Sequence, residues 1–253
     1  MIPDILPASR EDFSIKHLAL VLDGNGRWAL SRGVSIVEGH RQGAEALRNI
    51  LRNVWDEGIQ YLTVYAFSTE NWKRSKLEIS GIMQILRYNL KKNLNEFIEN
   101  NIQIRILGDL GKFSKDLISL MEDAVEKTKK NTGLTLSFAL NYGGRSEITR
   151  AASHIAQKLA SQEITIDEIN EDLFSGHLYT AGLPDPDLLI RTGGDIRISN
   201  FLLWQMAYTE FLFMDTLWPD FSKKELTESL NEYKKRQRRF GGDQRTVLKK
   251  QQK

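Results

Sequence analysis

Short apolar runs alternate along the chain with longer stretches in which apolar residues recur every third or fourth position. Leu18–Leu22, Tyr61–Phe67, Ile102–Leu107, Leu134–Leu140, Leu188–Ile190 and Glu210–Met214 read as strands. Between them, Gly39–Asp56 (closed by Gly58), Ser114–Lys130, Ser146–Ala160 and Lys223–Arg238 read as helices. A long helix follows Ser75 or Ser80, either of which can cap it. Its stripe is Ile79, Ile82, Met83, Leu86, Leu90, Leu94, Phe97 and Ile98. Shorter helices are expected over Ile166–Leu173 and over Phe201–Ala207, the latter capped by Ser199 or Asn200.

Regular strand–helix alternation predicts an α/β fold: a mostly parallel central sheet of about six strands with helices on both faces. Strands buried on both faces also explain why these runs are apolar throughout rather than alternating. No repeat, low-complexity tract or linker divides the 253 residues. A single domain is expected over 1–253, with its core at 14–242 and flexible tails at 1–13 and 243–253.

Composition changes this picture only by exclusion. There is no cysteine, so disulfides, thiolate metal sites and cysteine nucleophiles are ruled out. A net charge of +2 gives no bulk reason to expect nucleic acid. No apolar run approaches the roughly 20 residues of a membrane span, and the N-terminus lacks a basic-then-apolar signal. A cytoplasmic protein is expected, with any membrane contact peripheral.

Ligands of open α/β sheets bind beyond the carboxyl ends of the strands. Those ends carry Asp23-Gly24-Asn25-Gly26-Arg27, Ser68-Thr69-Glu70-Asn71-Trp72, Gly108-Asp109, Asn141-Tyr142-Gly143-Gly144-Arg145 and Arg191-Thr192-Gly193-Gly194. Each alone reads as a turn or a cap. Together, with Arg27, Arg74, Arg191 and Arg197 among or beside them, they favour a site for more than one phosphate. Gly24–Ala29 fits G-x-G-x-x-A, but a dinucleotide site also needs an acidic residue about 20 residues further on. Here the second strand ends near Phe67, about twice too far along. Asp23 would repel a diphosphate unless a cation intervened, which suggests Mg²⁺. Glu210 is a second, weaker candidate ligand, and His40 a candidate phosphate donor, acid or base. No P-loop, zinc helix motif or serine-hydrolase elbow occurs. If part of the long helix's stripe lines a cavity, the ligand has a charged head and an oily tail.

At this point "DGNGRWA", "GHRQGAEALR", "YAFSTENWKR", "NTGLTLSFALNYGGR", "DLLIRTGGDIRISNFLLWQMAYTEF", "WPDF" and "RRFGG" are similar, in order and from about His17 to Gly242, to the cis-prenyltransferases, the bacterial undecaprenyl diphosphate synthases in particular. The resemblance implies repeated addition of isopentenyl diphosphate to an allylic diphosphate such as farnesyl diphosphate. The product is a long cis-polyprenyl diphosphate, the lipid carrier of cell-wall sugars. It implies a hydrophobic tunnel, a homodimer contacting near "RRFGG", and transient membrane contact through the lipid product. It assigns Asp23 and Glu210 to Mg²⁺, with Asp23 essential to catalysis. Gly24, Asn25, Gly26, Arg27, Trp28 and His40 fall to the allylic diphosphate. Ser68, Thr69, Glu70, Trp72 and Arg74 belong to a mobile substrate loop in which Asn71 is the proton acceptor. Arg191, Arg197, Ile198 and Ser199 take the isopentenyl diphosphate. Ile36 stands where family members commonly carry an arginine, with Arg32 close by. Two other readings are a non-catalytic subunit of such an enzyme and a nucleotide-binding oxidoreductase.

Overall fold

The computed structural model describes residues 15–236, so both expected tails and the "RRFGG" segment lie outside the described residues. Six strands form one sheet: β1 (His17–Val21), β2 (Tyr61–Ser68), β3 (Gln103–Leu107), β4 (Thr135–Tyr142), β5 (Leu188–Arg191) and β6 (Glu210–Phe213). The order is β3-β4-β2-β1-β5-β6 and every pairing is parallel. The helices are α1 (Asn25–Ser31), α2 (Ile36–Asp56), α3 (Lys76–Glu99), α4 (Lys115–Thr128), α5 (Gly144–Ala160), α6 (Glu171–Ser175) and α7 (Lys223–Lys235). The expected α/β architecture is therefore present.

β1 is buried on both sides, and its alternation divides the core. Leu18 and Leu20 join a cluster with Ile50 and Val54 of α2 and Leu226 and Leu230 of α7. Ala19 and Val21 join another with Phe201, Leu202 and Met206. A third cluster, around Phe67, Leu90, Phe113 and Leu140, fills the space between the sheet, α3 and α4. After β4 the chain crosses to the far side of β1 and lays down β5. The sheet's direction of growth thus reverses between β1 and β5, and this switch point is where an α/β sheet opens a crevice.

The structure moves several boundaries, for physical reasons. α2 begins at Ile36 rather than Gly39 because Ser35 caps it, accepting from the Glu38 N–H at 3.1 Å. Glu38, Gly39 and His40 are therefore all helical. Of the two candidate caps for α3, Ser75 serves, accepting from Glu78 N–H at 3.2 Å. The 166–173 segment resolves into one 3₁₀ turn and the short α6. α1 was not foreseen. The expected helix over Phe201–Ala207 is absent: Ser199, Asn200 and Leu202 have φ of 52°, 65° and 40°, which a right-handed helix cannot contain. That stretch is a run of turns. Among the described residues no helix is long and apolar enough to cross a membrane.

His17 opens β1 fully buried. Its Nδ1 lies 2.6 Å from the Pro184 carbonyl, an acceptor only, so Nδ1 carries the proton; Nε2 then accepts from the Thr63 hydroxyl at 2.8 Å. Burial lowers its pKa to about 4. The unfolded chain takes up this proton near pH 6.5 and the folded chain only near 4. Stability is therefore lost as pH falls between those values, by about 3 kcal/mol in full. A His17→Gln variant should lack this component, so urea titrations of both proteins from pH 7 to 4 should converge in acid. Parallel pH profiles would contradict a buried neutral histidine.

Candidate active site

The carboxyl end of β1 delivers Asp23 and that of β5 delivers Arg191, because Val21 and Arg191 are paired in register. The Arg191 side chain is buried; its Nη2 donates to Asp23 Oδ2 at 2.7 Å. Its Nη1 donates to the Arg197 carbonyl at 2.5 Å and to Ser199 Oγ at 2.7 Å. The other Asp23 oxygen accepts from Arg27 Nη2 at 3.1 Å. Asp195 joins the same cluster, 2.7 Å from Arg197, 3.4 Å from Arg191 and 3.7 Å from Arg27. Burial alone would raise the Asp23 pKa. The Arg191 hydrogen bond, with the charges of Arg191 and Arg27, overrides it and holds the carboxyl below its usual range. Thr192 fixes the backbone here, donating to the Asp23 carbonyl at 2.8 Å and accepting from the Asp23 N–H at 3.1 Å.

The turn after Asp23 is a helix start. Gly24 has φ +108°, and a Cβ there would lie 2.9 Å from Leu217. The first amide with an intrahelical acceptor is that of Trp28, to the Gly24 carbonyl. The N–H groups of Asn25, Gly26 and Arg27 thus sit at the open start of α1. At Gly26 a Cβ would meet only Ile36, at 4.0 Å, so nothing in the protein demands glycine there and the space beside it is open. Gly39 and Gly43 of α2 have the opposite reason. Their Cβ atoms would lie 2.2 Å from the Asn25 carbonyl and 2.1 Å from Asn25 Oδ1. These glycines let α1 lie directly on α2.

Residues Thr69–Lys73, expected as a loop, form a 3₁₀ helix. Asn71 Oδ1 accepts from the Ser68 N–H at 3.0 Å. Arg74 Nη1 donates to Glu78 at 2.9 Å, and His40 Nε2 lies 3.0 Å from the same oxygen. Burial, reinforced by Arg74 and opposed by Glu78, lowers the His40 pKa, and the same Nε2 lies 3.4 Å from Arg74 Nη1.

One cavity of about 820 Å³ joins these groups. Its wall includes Asp23, Asn25, Arg27, His40, Ser68, Glu70, Asn71, Arg74, Arg191, Arg197 and Ser199 at the rim. Behind them it is lined by Leu47, Leu51, Phe67, Ile82, Met83, Leu86, Leu90, Phe97, Leu136, Phe138 and Leu140, with Asn89 and Asn93 as polar interruptions. Ser68 pairs with Tyr142, so reaching Leu136 takes the cavity six residues back along β4, about 20 Å.

Other expected site residues lie outside that wall. Trp28 donates to Asp220 at 2.8 Å, and Arg32 covers its ring and pairs with the same carboxylate at 3.1 Å. Arg32 is thus engaged away from the cavity. Thr69 donates to Glu70 at 3.1 Å, and Ile198 packs on the second core cluster. Trp72 packs edge-on to Phe67 and donates to Asn141 at 2.7 Å. Glu210 opens β6 opposite Leu188, three residues back from the Arg191 level, about 10 Å, and accepts from Arg236 at 3.0 Å. Two of the five rim segments serve the protein itself. A Cβ on Gly108 would lie 2.0 Å from the Leu140 carbonyl, and one on Gly143 would lie 2.8 Å from both Asn200 and Thr69. Asp195, Glu78 and Asn200 were missed. Asp195 had a legible signal, a carboxylate between Arg191 and Arg197.

The chain matches, over residues 21–241, the Prenyltransf family model, described as "Putative undecaprenyl diphosphate synthase". It is 46% identical over 232 residues to the isoprenyl transferase of Clostridium perfringens, covering 92% of each chain. It is 47% identical over 227 residues to the ditrans,polycis-undecaprenyl-diphosphate synthase ((2E,6E)-farnesyl-diphosphate specific) of Micrococcus luteus, covering 90% of this chain and 91% of that one. The crystal structure of lavandulyl diphosphate synthase from Lavandula x intermedia, in complex with dimethylallyl diphosphate, superposes with a TM-score of 0.89 at 36% identity, covering 92% of this chain and all of that one.

The α1–α2 contact generates a prediction. Gly43→Ala places a methyl group where Asn25 Oδ1 lies and 2.9 Å from Trp218. Urea unfolding should show a loss of about 1–3 kcal/mol, with weaker diphosphate binding because Asn25 moves. Unchanged stability and binding would contradict this packing role.

Proposed function

The chain belongs to the undecaprenyl diphosphate synthase family of prenyltransferases, and on that premise we propose that it adds isopentenyl diphosphate repeatedly to an allylic diphosphate, farnesyl diphosphate being the expected primer. The product is a long cis-polyprenyl diphosphate, undecaprenyl diphosphate for a cell-wall lipid carrier. One observation carries this reading: a cation-rich rim opens directly into an apolar cavity. A small polar nucleotide would leave that apolar wall in contact with water. A prenyl diphosphate matches both parts.

The proposed roles follow from position. The α1 amides, Asn25, Arg27 and His40 receive the allylic diphosphate, and its chain lies between α2 and α3. Arg191, Arg197 and Ser199 take the second diphosphate. As the allylic C–O bond breaks, the isopentenyl double bond attacks the allylic carbon, a new C–C bond forms and diphosphate leaves. The proton lost next passes to Asn71, whose amide oxygen retains a lone pair beyond the one held by Ser68 N–H. A neutral amide suffices because the carbocation is a very strong acid. Holding both reactants in register supplies much of the rate.

The residues present fit Mg²⁺. Asp23 and Asp195 converge on the same guanidinium groups, and no group of three or more acidic or histidine side chains suited to a metal occurs among the described residues. Magnesium is typically held by one or two carboxylates, with waters and phosphate oxygens completing its shell. Asp23 is the proposed ligand, and Asp195 stands beside it. When bound, the ion would neutralise charge on the leaving diphosphate. Glu210, tied to Arg236, is kept as a proposed second ligand on the family resemblance alone. The proposed setting is a cytoplasmic homodimer that touches the membrane through its lipid product.

Purified protein given farnesyl diphosphate, labelled isopentenyl diphosphate and Mg²⁺ should lengthen the primer by several units, read by mass analysis of the lipid. A folded protein giving no chain growth would overturn the proposal. Asp23→Ala should lower turnover by roughly 10³-fold and abolish Mn²⁺ binding in the presence of a diphosphate, read by paramagnetic resonance. It should still fold, because Arg191 keeps Ser199, the Arg197 carbonyl and Asp195. Near-normal turnover or metal binding would refute the assignment.

A further inference from the structure

Asn200 occupies a left-handed backbone position directly after Ser199, and its carbonyl and both side-chain polar atoms are engaged. Its carbonyl accepts from Gly144 N–H at 2.7 Å, and its Oδ1 accepts from Arg145 N–H at 2.9 Å. The first turn of α5 is thus capped from a distant part of the chain. Its Nδ2 donates to Glu70 Oε1 at 3.1 Å, and the other Glu70 oxygen accepts from Thr69 Oγ1 at 3.1 Å. Gly143 makes the junction possible, since a Cβ there would lie 2.8 Å from both Asn200 Nδ2 and Thr69 Oγ1.

We infer that the Glu70–Asn200 pair is a clasp that holds the 3₁₀ segment bearing Asn71 in register with the segment bearing Arg197 and Ser199, so that Glu70 and Asn200 are positioning residues for the second diphosphate. This rests on the prenyl-transfer reading of the site. Glu70 and Asn71 are consecutive, as are Ser199 and Asn200, so one hydrogen bond spans the two sides of the cavity mouth. Ser199 in turn holds Arg191, which holds Asp23. A carboxylate at the rim of a diphosphate site is repelled by the substrate, which makes Glu70 a poor substrate contact and a good internal acceptor. Tyr65 stacks on Phe201 with ring centres 4.4 Å apart and supports the same turn from below. The clasp is therefore the exposed end of an ordered connection.

The test exchanges the polarity of the pair. In Asn200→Asp one oxygen still accepts from Arg145 N–H, but the other faces the Glu70 carboxylate. Its KM for isopentenyl diphosphate should rise at least tenfold, while that for farnesyl diphosphate changes less than twofold. Combining it with Glu70→Gln restores a donor–acceptor pair and should bring the KM back to within about threefold of the parent. A role confined to capping α5 predicts no rescue, because the cap does not involve Glu70. Absence of rescue, or an unchanged KM in Asn200→Asp, would overturn the clasp. Glu70→Ala, on the exposed side, should raise the same KM and keeps the test open if Asn200→Asp fails to fold; an unchanged KM there also overturns it. A parent protein without turnover overturns the prenyl-transfer reading and the clasp together, whereas parent turnover with unaltered variants overturns the clasp alone.

Discussion

The meeting of Asp23 with Arg191 is the contact on which the site depends. It follows from topology rather than local preference: the two residues leave adjacent parallel strands where the sheet's order reverses. Arg191 is 3% exposed and would be a costly isolated cation. Asp23 balances its charge, and Ser199 and the Arg197 carbonyl accept from its other terminal nitrogen; together they bind the end of β1 to the irregular segment after β5. The start of α1, the Gly193 turn and the segment bearing Arg197 and Ser199 are all placed relative to that contact.

The cluster also explains how several arginines are kept together before substrate arrives. Arg27, Arg191 and Arg197 would repel one another at a bare rim. Asp23 and Asp195 lie among them and balance the charge. On the proposed function, a diphosphate would bring its own negative charge and free the carboxylates for a cation. The apolar wall behind the rim makes a different demand. Its leucines and phenylalanines come from α2, α3, β2 and β4, the elements that also build the sheet's cover. A cavity here costs packing that a closed core would have had, and a prenyl chain recovers it.

Much of the fold was legible because the strands are short, apolar and separated by helical periodicity. The six strands, the parallel sheet and the rim segments could all be read from the pattern. What could not be read were features set by tertiary contact. α1 is seven residues long and carries no periodicity of its own. Gly39 and Gly43 read as ordinary positions of the helix expected over Gly39–Asp56, because nothing local says that a second helix lies across them. The 201–207 stretch has helical composition, but its backbone is diverted by three left-handed residues whose interactions come from β2, β5 and α5. Gly143 and Gly144 resembled a phosphate turn and instead admit Asn200, Thr69 and Leu203. Asp23, Arg27, Arg191 and Arg197 were legible because charge at a strand end has few structural uses, whereas Asn71 and Ser199 were named only by the family resemblance. Asn200 was not legible, because its partners Gly144, Arg145 and Glu70 all lie far along the chain.

The most direct test of the account is a crystal structure with a farnesyl diphosphate analogue that cannot ionise. The account predicts its diphosphate at the start of α1, in contact with Arg27 and the amides of Asn25 and Gly26. The prenyl chain should run between α2 and α3 past Leu47, Leu86 and Leu90. A chain lying outside that cavity, or a diphosphate bound away from Asp23 and Arg27, would contradict it.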